Sequence, residues 1–509
     1  MGGRTLRDAF KRTAMRLGNK RAISFVRRGR IETEISYGRL EEDSNRLAHT
    51  FQEGGVKKGD RVIFFLDKCL LSVVAHLAAQ KIGAIGVPLN PGFKKAEMAY
   101  LLGDAEARLV LCGPAQTALV RDIDPGAEIL VADPQKPYEA VDFFRSASAQ
   151  RPSADVGPED PGLIIYTSGT TGQPKGAILT QGNLLYDAEN IISIWGITES
   201  DVLCHALPLF HVHGLCFALH TALIAGSNVL LLDAFSPESV TSILARGVGG
   251  YKPSVFMAVP SMYAKMMEPL GEGRLNFEHM RLWTSGSAPL LPKDFHRIKS
   301  LFGKEPVERE GMTETGMNFS NPLRGTRKPG SIGIPLPSLQ VRVVDPQTLQ
   351  DVAPGETGEF WLKGPAITPG YWRKPEETEK AFWDGWFKTG DLGKVDEEGY
   401  YYLTDRIKHI IISGGENISP KEVEAVINRY EGVSESCVVG VADDKWGERV
   451  VAAVVPKDGQ NVEQGDLQEH CKRHLHNWKC PKAILFVKEL PRNTMGKVLK
   501  EEVKKFFEK

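Results

Sequence analysis

The chain has 509 residues, of which 42% are hydrophobic and 25% are charged, and its formal net charge is −1. This length allows at least two domains with full cores, and the near-zero charge gives no electrostatic case for nucleic acid or an anionic membrane as a partner. No apolar run reaches the ~20 residues of a membrane-spanning helix. The seven cysteines are scattered without CxxC spacing, which predicts a reducing compartment without disulfides or zinc. We therefore expect a cytoplasmic protein.

Helices and strands alternate from the N-terminal region onward. Residues 36–56 place Leu40, Leu47 and Phe51 at a helical spacing, and Gly54 and Gly55 end that helix. A second helix is predicted at 70–82. Apolar strands are predicted at 61–66, 85–89, 108–112 and 128–131. This alternation predicts an α/β fold with a largely parallel sheet.

A loop rich in glycine and hydroxyl side chains follows the apolar strand at 162–165. Its sequence is YTSGTTGQPKG at 166–176. Glycine lets the backbone approach an anion, the hydroxyls donate hydrogen bonds and Lys175 supplies positive charge, so the loop is suited to phosphate. Clusters of this composition are also common as solvated turns. A Walker P-loop is excluded because Gly176 follows the lysine where Ser or Thr would hold magnesium.

Four further segments contain residues of chemical interest. They are ALPLFHVHG at 206–214, TSGSAPL at 284–290, EGMTE at 310–314 and KTGDL at 388–392. The His-x-His pair in the first has no third ligand at a recognisable spacing, so packed histidines are the default interpretation. Towards the C-terminus the pattern breaks at Asp405-Arg406, and a helix is predicted after Ser419 with a capping box formed by Ser419 and Glu422.

Taken together and in this order, these segments resemble the AMP-forming acyl-CoA synthetases of the adenylate-forming superfamily. The resemblance implies activation of a carboxylic acid by Mg-ATP to acyl-AMP and pyrophosphate, followed by transfer of the acyl group to coenzyme A. It implies an α/β fold with a large N-terminal domain of parallel-rich sheets and flanking helices at 1–405. A small α+β C-terminal domain at 406–509 would move on a hinge. We expect a monomer or homodimer.

The resemblance also assigns roles to residues. Lys497, in PRNTMGK, would bridge the carboxylate and the α-phosphate, and Glu314 with Thr170 would hold magnesium. His211 would line the acyl site. The predicted nucleotide-binding residues are Thr167, Ser168, Gly169, Thr170, Thr171, Gly172, Lys175, Gly286, Ser287, Ala288, Arg309, Glu310, Gly311, Met312, Thr313, Asp391 and Arg406. The predicted acyl pocket adds Val259, Lys265, Ser285 and Met317, and the hinge and CoA tunnel add Lys408, Gly414 and Gly415.

The identity of the acid depends on two departures from the malonyl-CoA synthetases, the members that the chain most resembles. Those enzymes carry arginine where this chain has Lys265, and tyrosine where it has Glu310. Lysine lacks the bidentate fork of arginine, and Glu310 is expected to pair with Arg309 and quench its charge. The sequence therefore favours a short-to-medium or cyclic monocarboxylic acid. The alternatives are malonate or another small diacid, and a free-standing adenylation enzyme that loads a carrier protein. A non-catalytic binding protein would tolerate loss of Lys497 or Glu314, yet both are present.

Overall fold

The chain folds into two compact units. The computed structural model describes residues 4–167, 173–270, 275–413, 416–443, 446–493 and 496–508. The larger unit consists of Met1–Gln340 and Leu362–Phe387, and the smaller of Val341–Trp361 and Lys388–Lys509. The predicted α/β class, with a large sheet-rich part and a smaller second part, is confirmed. The domain boundary after residue 405 concerns the part of the chain that moves, and it stays a prediction.

The first sheet of the larger unit has six strands. Their order in the sheet is Ile129–Val131, Leu109–Cys112, Arg61–Phe65, Ile85–Pro88, Pro161–Thr167 and Lys175–Thr180. The first five strands are parallel, and only the last pair is antiparallel. The central strands are apolar along their whole length because helices cover both faces of such a sheet. The sheet ends in the hairpin that carries the glycine-rich loop.

The second sheet of the larger unit has nine strands. Their order is Ile334–Pro335, Gly316–Ser320, Val307–Met312, Leu282–Ser285, Val255–Ala258, Val202–His205, Asn228–Leu232, Arg21–Arg27 and Arg30–Ser36. The six strands from Val307–Met312 to Arg21–Arg27 pair in parallel. The loops after neighbouring parallel strands therefore meet at one edge of the sheet, where ligands bind in folds of this kind.

The helices of the larger unit often begin where hydroxyl or proline residues stand. They are Leu6–Arg16, Tyr37–Glu53, Leu70–Ile82, Lys95–Ala105, Pro114–Ile123, Gln181–Trp195, Thr221–Ala225, Pro237–Arg246, Pro260–Met267, Pro292–Phe302 and Pro375–Ala381, with the π-helix His213–His220 and the 3-10 helix Tyr138–Ala140. Thr180 Oγ1 accepts a hydrogen bond from the Asn183 amide at 3.1 Å and so caps the start of the helix Gln181–Trp195. In the described segments, every helix is too short or too polar to cross a bilayer.

Two further sheets are largely antiparallel. One contains Gln340–Val344, Gly358–Lys363, Phe382–Trp383, Trp386–Val395 and Tyr401–Arg406. The other belongs to the smaller unit and contains Ile411–Ser413, Glu416–Ile418, Val433–Asp443, Gly447–Pro456 and Ala483–Phe486. The helices of the smaller unit are Pro420–Ile427, Gln464–His474 and Lys500–Lys504, with the 3-10 helix Ile407–His409.

The predicted capping box at Ser419 does not form. The Ser419 hydroxyl lies 3.1 Å from Asp405 Oδ2, and the same carboxylate oxygen accepts a hydrogen bond from the Lys421 amide. Glu422 instead forms an ion pair with Lys479 at 2.7 Å. The helix amide is thus satisfied by a carboxylate from another strand, a long-range partner that the local sequence pattern does not reveal.

A buried histidine pair lies inside the larger unit. The Nε2 atoms of His76 and His220 are 2.8 Å apart, and the rings stack with centroids 4.9 Å apart. Burial lowers the pKa of His76 to about 3 and lowers the pKa of His220 well below its ordinary value. Both rings are therefore neutral in the folded state at neutral pH, and the Nε2–H of one ring donates a hydrogen bond to the Nε2 of the other.

This pair should make the larger unit sensitive to acid. Because the folded pKa values are depressed, the unfolded chain binds more protons below pH ~6.5, so stability is complete above that pH and falls as the pH decreases. Between pH 7.5 and 5.5 each histidine should remove about 1.4 kcal/mol from the free energy of unfolding. Urea unfolding midpoints at both pH values check this. A His76→Leu/His220→Phe double variant that lost as much stability as the wild type would contradict it.

Candidate active site

The two ends of the glycine-rich loop are held side by side by the hairpin. Thr167 pairs with Lys175 across the antiparallel strands. The predicted residues Ser168, Gly169, Thr170, Thr171 and Gly172 lie outside the described residues. The Lys175 ammonium forms an ion pair with Glu377 and lies 5.4 Å from the centre of the Tyr371 ring. The lysine predicted to bind phosphate is thus oriented by a carboxylate and an aromatic ring.

Glu314 is placed beside the same hairpin. Its side chain is buried, and its Oε1 accepts hydrogen bonds from the hydroxyls of Thr167 at 3.3 Å and Tyr371 at 3.1 Å. Its backbone carbonyl accepts a hydrogen bond from the Thr368 amide at 2.7 Å. The structure therefore brings Glu314 to the hairpin of Thr167 and Lys175, although it lies 147 residues after Thr167 in the sequence.

The surroundings of Glu314 fit a magnesium ion held jointly with a substrate. A carboxylate is the hard oxygen ligand that magnesium prefers, and this ion usually takes one or two carboxylates and completes its shell with phosphates and water. The second carboxylate oxygen, Oε2, accepts no hydrogen bond from the described residues. Among the described residues, no group of three or more His, Cys, Asp or Glu side chains could hold a metal ion without a substrate. Thr170, the other predicted ligand, lies outside the described residues.

Sequence reasoning missed Tyr371 and Glu377. Both lie in the segment that returns to the larger unit, about 200 residues after the loop that they contact. Neither residue has a local pattern that marks it. The sharp turn at Gly370, with a φ of +148°, is the nearest signal in the sequence.

The small-residue loop at 284–290 follows a buried strand, as predicted. Ser285 ends the strand Leu282–Ser285 and is fully buried, with a hydroxyl that has no partner among the described residues. Ser287 has a left-handed φ of +70°, and its hydroxyl lies 3.2 Å from His213 Nδ1. Ala288 is half-buried next to it. Thus a histidine of the π-helix reaches the loop predicted to meet adenine and substrate.

Arg309 is the most unusual residue of this region. It is 2% exposed, and none of its three guanidinium nitrogens has a hydrogen-bond partner among the described residues. Its Cζ lies 5.1 Å from the Phe217 ring centre. A Cβ at Gly286 would lie 2.6 Å from the Arg309 Cζ, so only glycine leaves room for the guanidinium. Burial lowers the pKa of Arg309 to about 10, against the opposing attraction of Glu310 and Asp187, and the group remains charged at neutral pH.

Glu310 attracts Arg309 electrostatically, but it does not form the expected hydrogen-bonded pair with the guanidinium. Glu310 Oε2 instead accepts a hydrogen bond from Asn318 Nδ2 at 3.0 Å. Successive residues of the strand Val307–Met312 point to opposite faces, so the two side chains diverge. Gly311 continues the same strand opposite Met317, and Met312 and Thr313 lead from it to Glu314.

The predicted acyl-pocket residues are only partly brought together. Met317 is buried opposite Gly311, and Val259 is buried directly after the strand that pairs with Leu282–Ser285. His211 is half-buried, and burial lowers its pKa to about 4. The Lys265 side chain is exposed on the helix Pro260–Met267 while Met266 beside it is buried, and its place in the acyl pocket stays a prediction.

Asp391 and Arg406 face each other in the smaller unit. They are paired across neighbouring antiparallel strands, and Arg406 Nε lies 2.6 Å from Asp391 Oδ1. Asp391 follows Gly390, which has a left-handed φ of +70°. The predicted ribose contacts are therefore adjacent to each other. Lys408 lies in the exposed 3-10 helix that follows, and the predicted Gly414 and Gly415 lie outside the described residues.

Lys497 stands at the end of a turn near the C-terminus. Its amide donates to Asn493 Oδ1 at 2.9 Å, and its carbonyl accepts from the Asn493 amide. The side chain keeps exposed area. Desolvation by the surrounding atoms, and then repulsion from Arg406, lower the pKa of Lys497 to about 8. The lysine is therefore mainly charged at neutral pH and close to its titration range.

The chain is similar to known proteins. Residues 10–372 match the family model described as AMP-binding enzyme, and residues 422–497 match its C-terminal domain. The chain belongs to the AMP-binding enzymes. This AMP-binding enzyme is 33% identical to "Probable CoA ligase CCL9" of Humulus lupulus, over 99% of the chain and 96% of the relative. It is 35% identical to the mitochondrial malonate–CoA ligase ACSF3 of Bos taurus, over 88% and 82%.

A solved structure of similar shape supports the same family. The crystal structure of ATP-bound MatB from Rhodopseudomonas palustris has a TM-score of 0.92 and 36% identity, covering 100% of this chain and 99% of that one. The predicted superfamily is confirmed. The chain is an acid–thiol ligase that uses ATP, magnesium and CoA.

Proposed function

We propose that this AMP-binding enzyme activates a short dicarboxylic acid, of which malonate is the first candidate, and transfers the resulting acyl group to CoA. One observation carries the proposal: Arg309 is buried and charged, and its guanidinium has no hydrogen-bond partner among the described residues. The monocarboxylic acid favoured by the sequence stays a prediction and is the second candidate.

A buried guanidinium without partners is costly. Removing an ion from water costs several kcal/mol, which is recovered only when a counter-ion and hydrogen bonds replace the water. The face of the Phe217 ring and the attraction of Glu310 and Asp187 offset part of this cost, but they leave all three guanidinium nitrogens without a hydrogen bond from the described residues. An anionic group on the substrate would supply the missing acceptors, and a carboxylate matches the fork of arginine with two parallel hydrogen bonds.

The position of Arg309 suits the far carboxylate of a small diacid. The guanidinium lies against Gly286, in the loop predicted to meet the substrate, and five residues before Glu314 in the chain. In the same loop, the Ser287 hydroxyl is hydrogen-bonded to His213 Nδ1. The strand at Gly311 is packed closely, since a Cβ there would lie 2.7 Å from the Gly316 carbonyl oxygen. Close packing on this side favours a short acid.

The residues of the site would act in the first of the two half-reactions, the formation of acyl-AMP. Lys175 and the glycine-rich loop would hold the phosphates, and magnesium at Glu314 would offset their charge. Arg309 would orient the acid so that its other carboxylate attacks the α-phosphate, and pyrophosphate leaves as acyl-AMP forms. The CoA thiol then attacks the acyl carbon, and AMP leaves with the electron pair of the broken anhydride bond. Lys497 would stabilise the charge that develops in the first step.

The malonate–CoA ligase relative supports the diacid. The remaining lining supports the second candidate, because Phe217, Val259 and Met317 are apolar and an acyl group would gain ~0.8 kcal/mol for each methylene that they bury.

All seven cysteines are free and buried, which supports the proposed cytoplasmic location.

The test is a screen of acids by pyrophosphate release, with and without CoA. Malonate, methylmalonate and succinate should give a higher kcat/KM than acetate, propionate, butyrate and benzoate. Release that needs no CoA but whose product is taken only by a carrier protein would indicate an adenylation enzyme. A monocarboxylic acid that exceeds every diacid would contradict the proposal.

Lys265 should have little influence on the acid. Because its side chain is exposed on the helix Pro260–Met267, Lys265→Met should leave kcat/KM for the preferred acid within about tenfold, a barrier change of about 1.4 kcal/mol. Steady-state kinetics with the best acid of the screen checks this. Loss of diacid use in this variant would mean that Lys265, and not Arg309, binds the second carboxylate.

A further inference from the structure

One helix of the larger unit contacts both ends of the glycine-rich loop. On the helix Lys95–Ala105, the Tyr100 hydroxyl donates to the carbonyl of Pro174 at 2.9 Å. One turn later, Asp104 Oδ2 accepts a hydrogen bond from the Tyr166 hydroxyl at 2.7 Å. Tyr166 and Pro174 lie on opposite sides of the loop, so two residues four positions apart fix its entry and its exit.

The same carboxylate also holds the segment that contains Tyr371 and Glu377. Lys374 Nζ lies 3.2 Å from Asp104 Oδ1, and the Trp372 indole nitrogen donates to the Asp104 backbone carbonyl at 3.1 Å. The hydrogen bond to Asp104 raises the pKa of Lys374, so this lysine is charged and the ion pair is formed at neutral pH. The side chain of Asp104 is only 8% exposed.

The helix Lys95–Ala105 is itself held in place by other contacts, so it can hold the loop residues that it contacts in a fixed position. Tyr100, Tyr166 and Trp372 pack against one hydrophobic cluster that includes Leu101. At the helix end, Arg61 donates to the Ala105 carbonyl at 2.8 Å and lies 5.1 Å from the Trp372 ring centre. A helix held by its core and by its C-terminal carbonyls offers a rigid reference for the loop.

We propose that Tyr100 and Asp104 are positioning residues for ATP, because they hold the described ends of the loop at Pro174 and Tyr166 and orient the segment that supplies Tyr371 to Glu314 and Glu377 to Lys175. The proposal rests on the nucleotide role of the loop and is independent of the acid. Backbone and hydroxyl donors bind phosphate well only when they are held close to the bound geometry beforehand. Loosening either end should therefore weaken ATP binding more than it weakens the fold.

The test compares two conservative variants with a matched control. Tyr100→Phe removes only the hydroxyl, and Asp104→Asn removes the charge that holds Lys374. The control is Tyr138→Phe, which removes a similar tyrosine–aspartate hydrogen bond, 2.8 Å to Asp43, between residues that belong neither to the loop nor to the helix that supports it. The measurements are KM for ATP, KM for the acid, kcat and Tm, with direct titration of ATP by calorimetry.

Tyr100→Phe and Asp104→Asn should each raise KM and Kd for ATP by about tenfold, the effect of one lost hydrogen bond, while KM for the acid stays within twofold. Tyr138→Phe should lower Tm at least as much and leave KM for ATP unchanged. Equal losses in all three variants, or ATP constants that do not move, would overturn the proposal. A wild-type protein that binds no ATP would instead overturn the proposed function.

Discussion

Replacing Arg309 with methionine should remove the use of dicarboxylic acids. Methionine keeps an unbranched apolar stem that reaches about as far as the Nε of arginine, but it offers no partner to a substrate carboxylate. Truncating one partner of a buried charged pair costs about 2–5 kcal/mol. We therefore expect kcat/KM for malonate to fall by about 100- to 1,000-fold. The matching monocarboxylic acid, propionate, should lose much less, and its KM should fall.

The Tm of the Arg309→Met variant distinguishes a loss of diacid binding from a folding defect. Because the guanidinium of Arg309 is buried without partners among the described residues, its removal should leave Tm unchanged or raise it. Arg309→Lys serves as the matched control, since it keeps the charge and loses the fork, and it should retain an intermediate rate with the diacid. If Arg309→Met lowers Tm sharply, or affects malonate and propionate equally, the guanidinium is structural and the proposed substrate class is wrong.

Replacing Lys497 with alanine should separate the two half-reactions. The adenylation step should slow by at least about 100-fold, the usual effect of removing one group that stabilises transition-state charge. Consumption of pre-made acyl-AMP by CoA should remain close to the wild-type rate. Single-turnover assays that measure pyrophosphate release and acyl-CoA formation separately check this. Equal losses in both assays would contradict the proposed role.

The wild-type enzyme offers a second readout for the same lysine. With a pKa of about 8, Lys497 is charged below that pH and loses its proton above it. The adenylation rate should therefore decline as the pH rises through 8. Lys505→Ala is a suitable control, because Lys505 is exposed nearby in sequence and pairs locally with Glu502. It should leave both half-reactions and the pH profile unchanged.

Much of the fold could be predicted because local patterns determine it. The strands at 61–65, 85–88 and 109–112 are apolar apart from Arg61 at the start of the first, and the helix at 70–82 lies between the first two in the chain, as the sequence indicates. The buried strand that leads into the glycine-rich loop is predictable for the same reason, whereas the antiparallel return strand Lys175–Thr180 is not among the predicted strands. In these regions each residue type agrees with the element that contains it.

The errors have a different physical origin. The sequence pairs Glu310 with its neighbour Arg309, but strand geometry sends the two side chains to opposite faces, and Asn318 from the next strand takes the carboxylate. The sequence also predicts that Ser419 caps its own helix, but Asp405 takes its hydroxyl. In both cases the observed partner lies on a neighbouring strand, 8 or 14 residues away in the sequence, and the local pattern around Glu310 or Ser419 contains no signal for it.

The path of the chain also bears on how this protein could be engineered. Val341–Trp361 belongs to the smaller unit, and Leu362–Phe387 then returns to the larger one before the chain leaves it again. A hybrid made by joining two homologous genes between residues 363 and 386 would therefore inherit paired strands from different parents, because Gly358–Lys363 and Trp386–Val395 are neighbours in one sheet. Exchange of the whole smaller unit instead needs three junctions, near residues 340, 361 and 387, so that Val341–Trp361 is transferred together with Lys388–Lys509.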